Sequence, residues 1–491
     1  MWLVTLDRRS RVPLHEQILR QMRFAIEEGR LSPDAQLPST RGLAADLKVA
    51  RATVVLAYEH LRAEGLLDAT TGGTTRVSSR VDHRPARRPV SKGQPKPALV
   101  SARARVLAAL PRPTLTLDPR GDDTPRAFMT GQPAVDLFPV EVWGRLVARR
   151  WRRITARSIG YGDPRGLREL REAVASYVGR ARGVSCTADQ VVITQGAQQG
   201  LDLLARLLTD PGESIWMEDP GYPGVRAAFA GSGATVVPVP VDAEGLVVQE
   251  GIRRAPRARL ACVTPSRQMP LGGVMSEARR AQLLQWAAGD ARRWIVEDDY
   301  DSEFRYAARQ VAALQAQDRS GSVVHVGTFT KLLFPALRLG YLILPESLID
   351  ACVPVRSSMD FCSPYLEQAV VADFLNDGHF DRHIRRVRTA YRARLEALQD
   401  AVAQHMTGLA ELEPADAGRA VVLWLEGLRE VDACDAAAAA GIRVTPLSLF
   451  YADPARPSWT REGVILGYGG LHERDIRDGI AKLARALARL R

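Results

Sequence analysis

The sequence predicts a multidomain protein. A small, mostly helical amino-terminal unit ends in a β-hairpin wing and is joined by a basic linker to a large α/β domain. That domain has a largely parallel sheet and a smaller α+β carboxyl-terminal part. Three observations predict this. The chain has 491 residues, more than one core normally organises. Its first eighty residues hold short helical patterns separated by tight turns and then a Gly/Thr-rich segment. From Phe128 onward, β-branched apolar runs alternate with helical patterns, the signature of strands joined by crossover helices.

Composition narrows the class. With 46% hydrophobic and 25% charged residues, the chain matches a soluble globular protein with ample core and is too apolar for a disordered one. No stretch approaches eighteen consecutive apolar residues, and MWLVTLDRRS reaches its charges before any signal-length apolar run, so a cytoplasmic, membrane-free protein is expected. Cys186, Cys262, Cys352, Cys362 and Cys434 are odd in number and form no C-x-x-C pair. Reduced, mostly buried thiols are expected, without disulfides or a metal site. The net charge of +11 is uneven: +3 lies in residues 1–80, +6 in residues 81–126 and +2 in the remainder. A basic front on a near-neutral body points to a polyanion partner there.

Taken in order, Leu14, Ile18, Leu19, Met22 and Ile26 fall at helical spacing within residues 12–27, and Gly29 ends that helix. Ser39 after Pro38 reads as a cap for a short helix holding Leu43, Ala44 and Leu47. After a turn at Lys48–Ala50, a second helix from Arg51 carries Val54, Leu56, Ala57, Tyr58 and Leu61. Two short helices across a tight turn form a helix-turn-helix, which lays its second helix in the major groove. A wing is expected over Thr70 to Val77. An ordinary three-helix bundle shares this periodicity, so the wording must decide. Across residues 12–78 the phrase GRL-P-LPS-R-LA-L-V-R-TV--AY--L-AEG resembles the winged helix of GntR-type transcriptional regulators. The resemblance implies contacts to double-stranded DNA from Arg41, Arg51 and Thr53, with Gly73 and Thr74 at the wing. Where the family has Gly and Ser at the turn, this chain has Lys48 and Ala50. Lys48 adds a phosphate contact, whereas Ala50 forgoes a cap worth about 1 kcal/mol.

Residues 79–126 (SRVDHRPARRPVSKGQPKP and beyond) are rich in Pro, Arg and Lys. They read as an extended linker with a short helix near Arg103–Leu110, and their charge adds salt-dependent DNA affinity.

In the α/β part, SVVHVGTFTKLLFPALRLGY is a buried-strand run followed by Lys331, with Thr328, Thr330 and Arg338 around it. A lysine among apolar neighbours loses its proton more easily, and the neutral amine forms a Schiff base with an aldehyde. Hydroxyls and an arginine fork suit a phosphate. Aldehyde and phosphate together describe pyridoxal 5′-phosphate (PLP). Ligands of open α/β sheets sit at the carboxyl ends of strands. There RRWIVEDDY ends in Asp298, to hold the pyridine nitrogen protonated, and Tyr300, to bond the ring hydroxyl. Gly196, Ala197 and Gln198 begin a helix, where free N–H groups favour a phosphate, and Tyr222 stands on a loop able to stack on the ring.

The phrases YGDPRGLRELREAV, QGAQQGLDLL, EDPGYPG, TPSRQMPLGG, EDDYDSEFRY and GTFTKLLFPALRLGY resemble a fold-type-I aminotransferase-like domain over residues 127–491. Its large PLP-binding part spans about 185–345 and its small part about 346–491. Joined to the GntR-type head over residues 1–78, the whole resembles the MocR subfamily of regulators. The resemblance implies Lys331 as the Schiff-base lysine, Asp298 on the pyridine nitrogen, Tyr300 on the ring hydroxyl, and Thr328, Thr330 and Arg338 at the phosphate. It also implies a homodimer with the site at its interface, where Tyr161 reaches the partner's phosphate.

Two departures bear on function. Arg267 replaces a family histidine and Leu271–Gly272 a Thr–Gly, altering the effector pocket. In VILGYGG, Ile465 takes the place of the arginine that holds a substrate carboxylate, and Arg461, nearby in sequence, is not assigned that role by spacing. The expected function is a regulator that senses PLP, or a small amine or amino acid that reacts with it, through an internal aldimine at Lys331. The alternative is an active aminotransferase with an autoregulatory head, which Ile465 disfavours. A third reading keeps the body only as a dimerisation scaffold.

Overall fold

Ile18, Leu19, Met22 and Ile26 lie on one stripe of α1 (Leu14–Glu27) and close against Leu43, Val54, Ala57, Tyr58 and Leu61. Each large aliphatic side chain so buried contributes about 1.5–3 kcal/mol. The structure is a computed structural model describing residues 4–69, 74–79, 100–110, 128–306, 311–453 and 461–491. It divides into two units, Met1–Leu99 and Val100–Arg491.

In the first unit, Ser39 Oγ accepts from Gly42 N at 3.1 Å and starts α2 (Thr40–Leu47). Lys48 ends that helix in the left-handed region, φ 52°, and α3 (Arg51–Ala63) begins at Ala50 without a side-chain cap. Leu56, expected inside, is exposed, because it points away from the stripe of Val54, Ala57, Tyr58 and Leu61. The wing strands β1 (Leu67–Ala69) and β2 (Thr75–Val77) pair antiparallel. The wing thus begins three residues before the expected Thr70, because Leu67 is drawn into the core beside Val77.

The second unit begins with α4 (Ala102–Ala109), capped by Ser101. Then come α5 (Val140–Arg152), α6 (Ala156–Ile159), α7 (Arg168–Arg182) and β3 (Val191–Thr194). They are followed by α8 (Ala197–Leu208), β4 (Ser214–Asp219) and α9 (Pro223–Ser232). The remaining strands of the large sheet are β5 (Thr235–Asp242), β6 (Gly245–Leu246), β7 (Leu260–Val263), β8 (Trp294–Asp299), β9 (Val323–Thr328) and β10 (Gly340–Ile343). Their order is β3-β10-β9-β8-β7-β4-β5-β6. β9, β8, β7, β4 and β5 run parallel, and β10 is antiparallel to both neighbours. β10, which follows the Lys331 segment directly, is not among the apolar runs that the sequence marks as strands. The centre is buried on both faces, as in Leu260–Val263 of β7 and Ile295–Val296 of β8, which is why parallel strands read as continuous apolar runs.

The small part is a four-stranded antiparallel sheet of β11 (Ala410–Leu412), β12 (Ala420–Leu425), β13 (Thr445–Pro446) and β14 (Gly463–Gly467), in the order β11-β12-β14-β13. A helix over Glu473–Ala488 closes the domain. Phe128 bridges to Gly467, so the segment that opens the domain by sequence lies beside the last strand of the small sheet.

Candidate functional site

Side chains alternate across a strand, and β8 shows what that alternation does. Glu297 and Asp299 face one way: Glu297 meets buried His325 at 3.2 Å, and Asp299 pairs with buried Arg182 at 2.7 Å. Asp298 faces the other way, into a cavity at the carboxyl ends of the strands. β8 and β9 pair in register, Asp298 opposite Val326, so the turn after β9 brings Lys331 into the same cavity.

The cavity assembles Ala197, Gln198, Tyr222, Asp298, Tyr300, Thr328, Thr330, Lys331 and Arg338. Asp298 is buried, and burial, with the charges of Asp299 and Glu218 adding, pushes its carboxyl up to about 7. Lys331 moves the opposite way. Burial, reinforced by the positive charges of Arg419 and Arg338, brings it down to about 7. Its Nζ donates to Gly131 O at 3.4 Å. Burial raises the Tyr222 hydroxyl to about 12, with the charge of Asp298 assisting, and Tyr222 Oη donates to Gln198 Oε1 at 3.4 Å.

One corner is shaped for an anion. The first-turn N–H groups of α8 have no partner within the helix, and the helix dipole favours negative charge there. Gly196 adopts φ 82°, a conformation that favours glycine, and a Cβ on it would sit in ordinary contact, 3.4 Å, with the Arg338 guanidinium. Arg338 itself lies in the left-handed region, φ 49°, and donates to Gln195 O at 3.2 Å. Thr328 Oγ1 accepts from Thr330 N at 3.2 Å.

Several lining residues escaped sequence reasoning in their roles. Buried Arg267 donates to Tyr300 Oη (3.2 Å) and Ala420 O (2.8 Å) and lies 3.7 Å from Asp301. Its burial is outweighed by Tyr300 and Asp301, which hold the guanidinium above its ordinary range. Asp301 and Arg419 also line the cavity. No short motif announces either; Arg419 arrives from the small sheet, far along the chain. Ile465 forms part of the wall. Arg461 is not among the lining residues; it pairs with Glu411 at 2.8 Å and lies 4.9 Å from the Trp424 ring centre. Tyr161 is 88% exposed, its ring tilted against Phe361 with centres 5.4 Å apart, and outside the cavity of its own chain.

In the first unit, Arg41, Lys48, Arg51 and Thr74 are exposed and Thr53 half-buried. Arg51 Nε lies 3.4 Å from Thr40 Oγ1. Arg8, which sequence reasoning missed, donates to Lys48 O at 2.7 Å and adds a cation at the turn. Gly73 lies outside the described residues. Among the described residues no cluster of His, Cys, Asp or Glu could hold a metal ion, and no helix is long and apolar enough to cross a membrane.

Residues 129–464 match the family Aminotransferase class I and II, and residues 14–77 match Bacterial regulatory proteins, gntR family. The probable rhizopine catabolism regulatory protein MocR of Rhizobium meliloti is 37% identical over 99% of this chain and 96% of its own length. The HTH-type transcriptional regulator TauR of Rhodobacter capsulatus is 36% identical over 96% of each. Among solved structures, kynurenine aminotransferase of Pyrococcus horikoshii, in complex with PMP, superposes with a TM-score of 0.67 at 26% identity. It covers 73% of this chain and 90% of that one.

Proposed function

The chain belongs to the MocR subfamily of GntR-type transcriptional regulators, and on that footing we propose that its aminotransferase-like body is a sensor. It senses PLP, or an amine that reacts with it, through Lys331, and the outcome alters how the winged-helix head holds operator DNA. The chain is a DNA-binding regulator with an aminotransferase-like domain, and its cofactor is PLP.

The cavity fits that cofactor. Asp298 Oδ1 and Thr330 Oγ1 are buried without a hydrogen-bond partner, a state that is costly unless a ligand satisfies them. The Gly196 cradle beside Arg338 leaves room for a phosphate. When bound, PLP supplies an electrophilic carbonyl carbon that primary amines attack. Asp298 would hold a proton on its ring nitrogen, Tyr222 would cover the ring, and Arg338, Thr328, Thr330 and the α8 N-terminus would hold the phosphate. Tyr300, which accepts a hydrogen bond from Arg267, would hold the ring hydroxyl.

The observation that carries the reading is geometric: Lys331 lines the same cavity as Asp298, whose Oδ1 is buried without a hydrogen-bond partner, and burial brings the lysine down to about 7. A lysine with its ordinary value, about 10, would be almost wholly charged and unreactive at neutral pH. The protein acts in the cytoplasm as a homodimer, with Tyr161 of each copy entering the partner's phosphate corner. Its exposure beside Phe361 and Ile159 supports that, since exposed apolar patches mark interaction sites. Absorption spectra of PLP-treated protein test the attachment. Wild type acquires a visible band that Lys331→Ala lacks; identical spectra for the two would overturn the assignment.

A further inference from the structure

Ile465 leaves the cavity wall without the arginine that would hold a carboxylate there, yet the cavity is not short of positive charge. Arg338 belongs to the phosphate corner, and Arg267 uses its donors on Tyr300 and Ala420 O and faces Asp301. Arg419 is different. It is 6% exposed and lines the cavity, and its Nε is buried without a partner. Arg182 pairs with Asp299, and Arg280 donates to the carbonyls of Met275, Ala312 and Pro265; Arg226, Arg356 and Arg394 also carry an unpartnered side-chain nitrogen, but none of the three lines the cavity.

The backbone that presents Arg419 is pinned. Its carbonyl accepts from Tyr468 N at 2.9 Å and Gly469 N at 3.1 Å. The preceding carbonyl, Gly418 O, accepts from the hydroxyls of Tyr468 and Tyr306, and Gly418 N donates to Phe304 O at 2.8 Å. A desolvated guanidinium on a rigid mount is costly alone and favourable once a planar anion faces it. The walls beside it, Met269, Phe450 and Ile465, are apolar and suit a hydrocarbon chain.

We propose that Arg419 is the specificity-determining residue for the effector and binds the acid group of a primary amine bearing one carboxylate, whose amine end faces Lys331. This rests on the sensor reading above. The position is distinctive: Ile465 pairs with Val422, whereas Arg419 enters three residues before Val422, roughly 10 Å of strand away. The distance between amine and acid that fits best is therefore set by this chain's own geometry.

The test uses the full-length, PLP-loaded protein and matched amines: n-propylamine against 3-aminopropanoate, n-butylamine against 4-aminobutanoate, and isopropylamine against alanine. Dissociation constants come from calorimetry and from the shift in cofactor absorption. At least one acid binds about 10- to 100-fold more tightly than its uncharged counterpart, as expected for a charge-assisted pair. Arg419→Ala reduces that preference to within about threefold, Arg419→Lys keeps part of it because it retains charge without the fork, and Arg461→Ala keeps all of it. The proposal is overturned if no pair favours the acid, or if the preference survives Arg419→Ala. If Arg419→Ala takes up no cofactor, Arg419→Lys decides: full wild-type preference there overturns the proposal. Operator affinity in the same samples separates the two claims. An acid preference that leaves DNA affinity unmoved sinks the sensor reading while Arg419 stands.

Discussion

In the head, Arg41, Lys48 and Arg51 stand exposed on short helices whose cohesion comes from other residues, chiefly Ile18, Val54, Tyr58 and Leu61. In the body, Asp298, Asp301, Arg267 and Arg419 are buried where strands and loops converge. The head can thus lose a working side chain at little cost to its fold. The body cannot: each working group there also belongs to a network of buried charges, where removing one partner costs several kcal/mol. Separation of this kind lets a DNA-binding head and an aminotransferase-like body vary independently within one chain.

That contrast can be pressed at several points. Lys331→Ala should abolish the visible absorption of bound cofactor entirely while leaving cofactor-free operator binding intact; loss of both would break the separation. Asp298→Asn should weaken PLP retention about 10- to 100-fold, the value of a hydrogen bond to a charged group, measured by equilibrium dialysis. A retained wild-type affinity would mean that the buried carboxylate serves only its neighbours. Arg51→Ala should cost operator binding about 1–3 kcal/mol in a fixed-salt binding assay, with the PLP spectrum unchanged.

The pH dependence is a finer probe. Below about pH 7 Lys331 carries a proton and cannot attack; above it the amine is free. PLP attachment, followed by stopped-flow absorption, should therefore rise through about pH 7, and a rise only near the ordinary lysine range would contradict the buried setting. The smallest effect belongs to the head. Ala50→Ser supplies the missing cap of α3 and should raise the head's stability by about 1 kcal/mol in thermal unfolding.

How much was legible beforehand follows the same divide. Lys331, Asp298 and Tyr300 could be picked out because each sits at the end of an apolar run short enough to be a strand, and strand ends are where such sheets bind ligands. Arg419 and Asp301 could not. Arg419 follows a glycine before β12, and its arrival opposite Lys331 depends on how the small sheet folds back. β10 was hidden because Gly340–Ile343 is four residues long and continues an apolar stretch without a marked break. The wing begins three residues before the Gly/Thr-rich signal because Leu67 gives no periodic mark; its burial depends on Val77 arriving from the second strand. Tyr161 is marked by resemblance alone, and its exposure within one chain fits a role completed only by a second copy.

If chemistry at Lys331 governs DNA binding, it must show in operator affinity, measured at fixed salt with and without PLP in wild type and in Lys331→Ala. A PLP-dependent change is expected in wild type and none in the variant. Equal affinity with and without PLP in wild type would mean that Lys331 has no hold on the DNA-binding head.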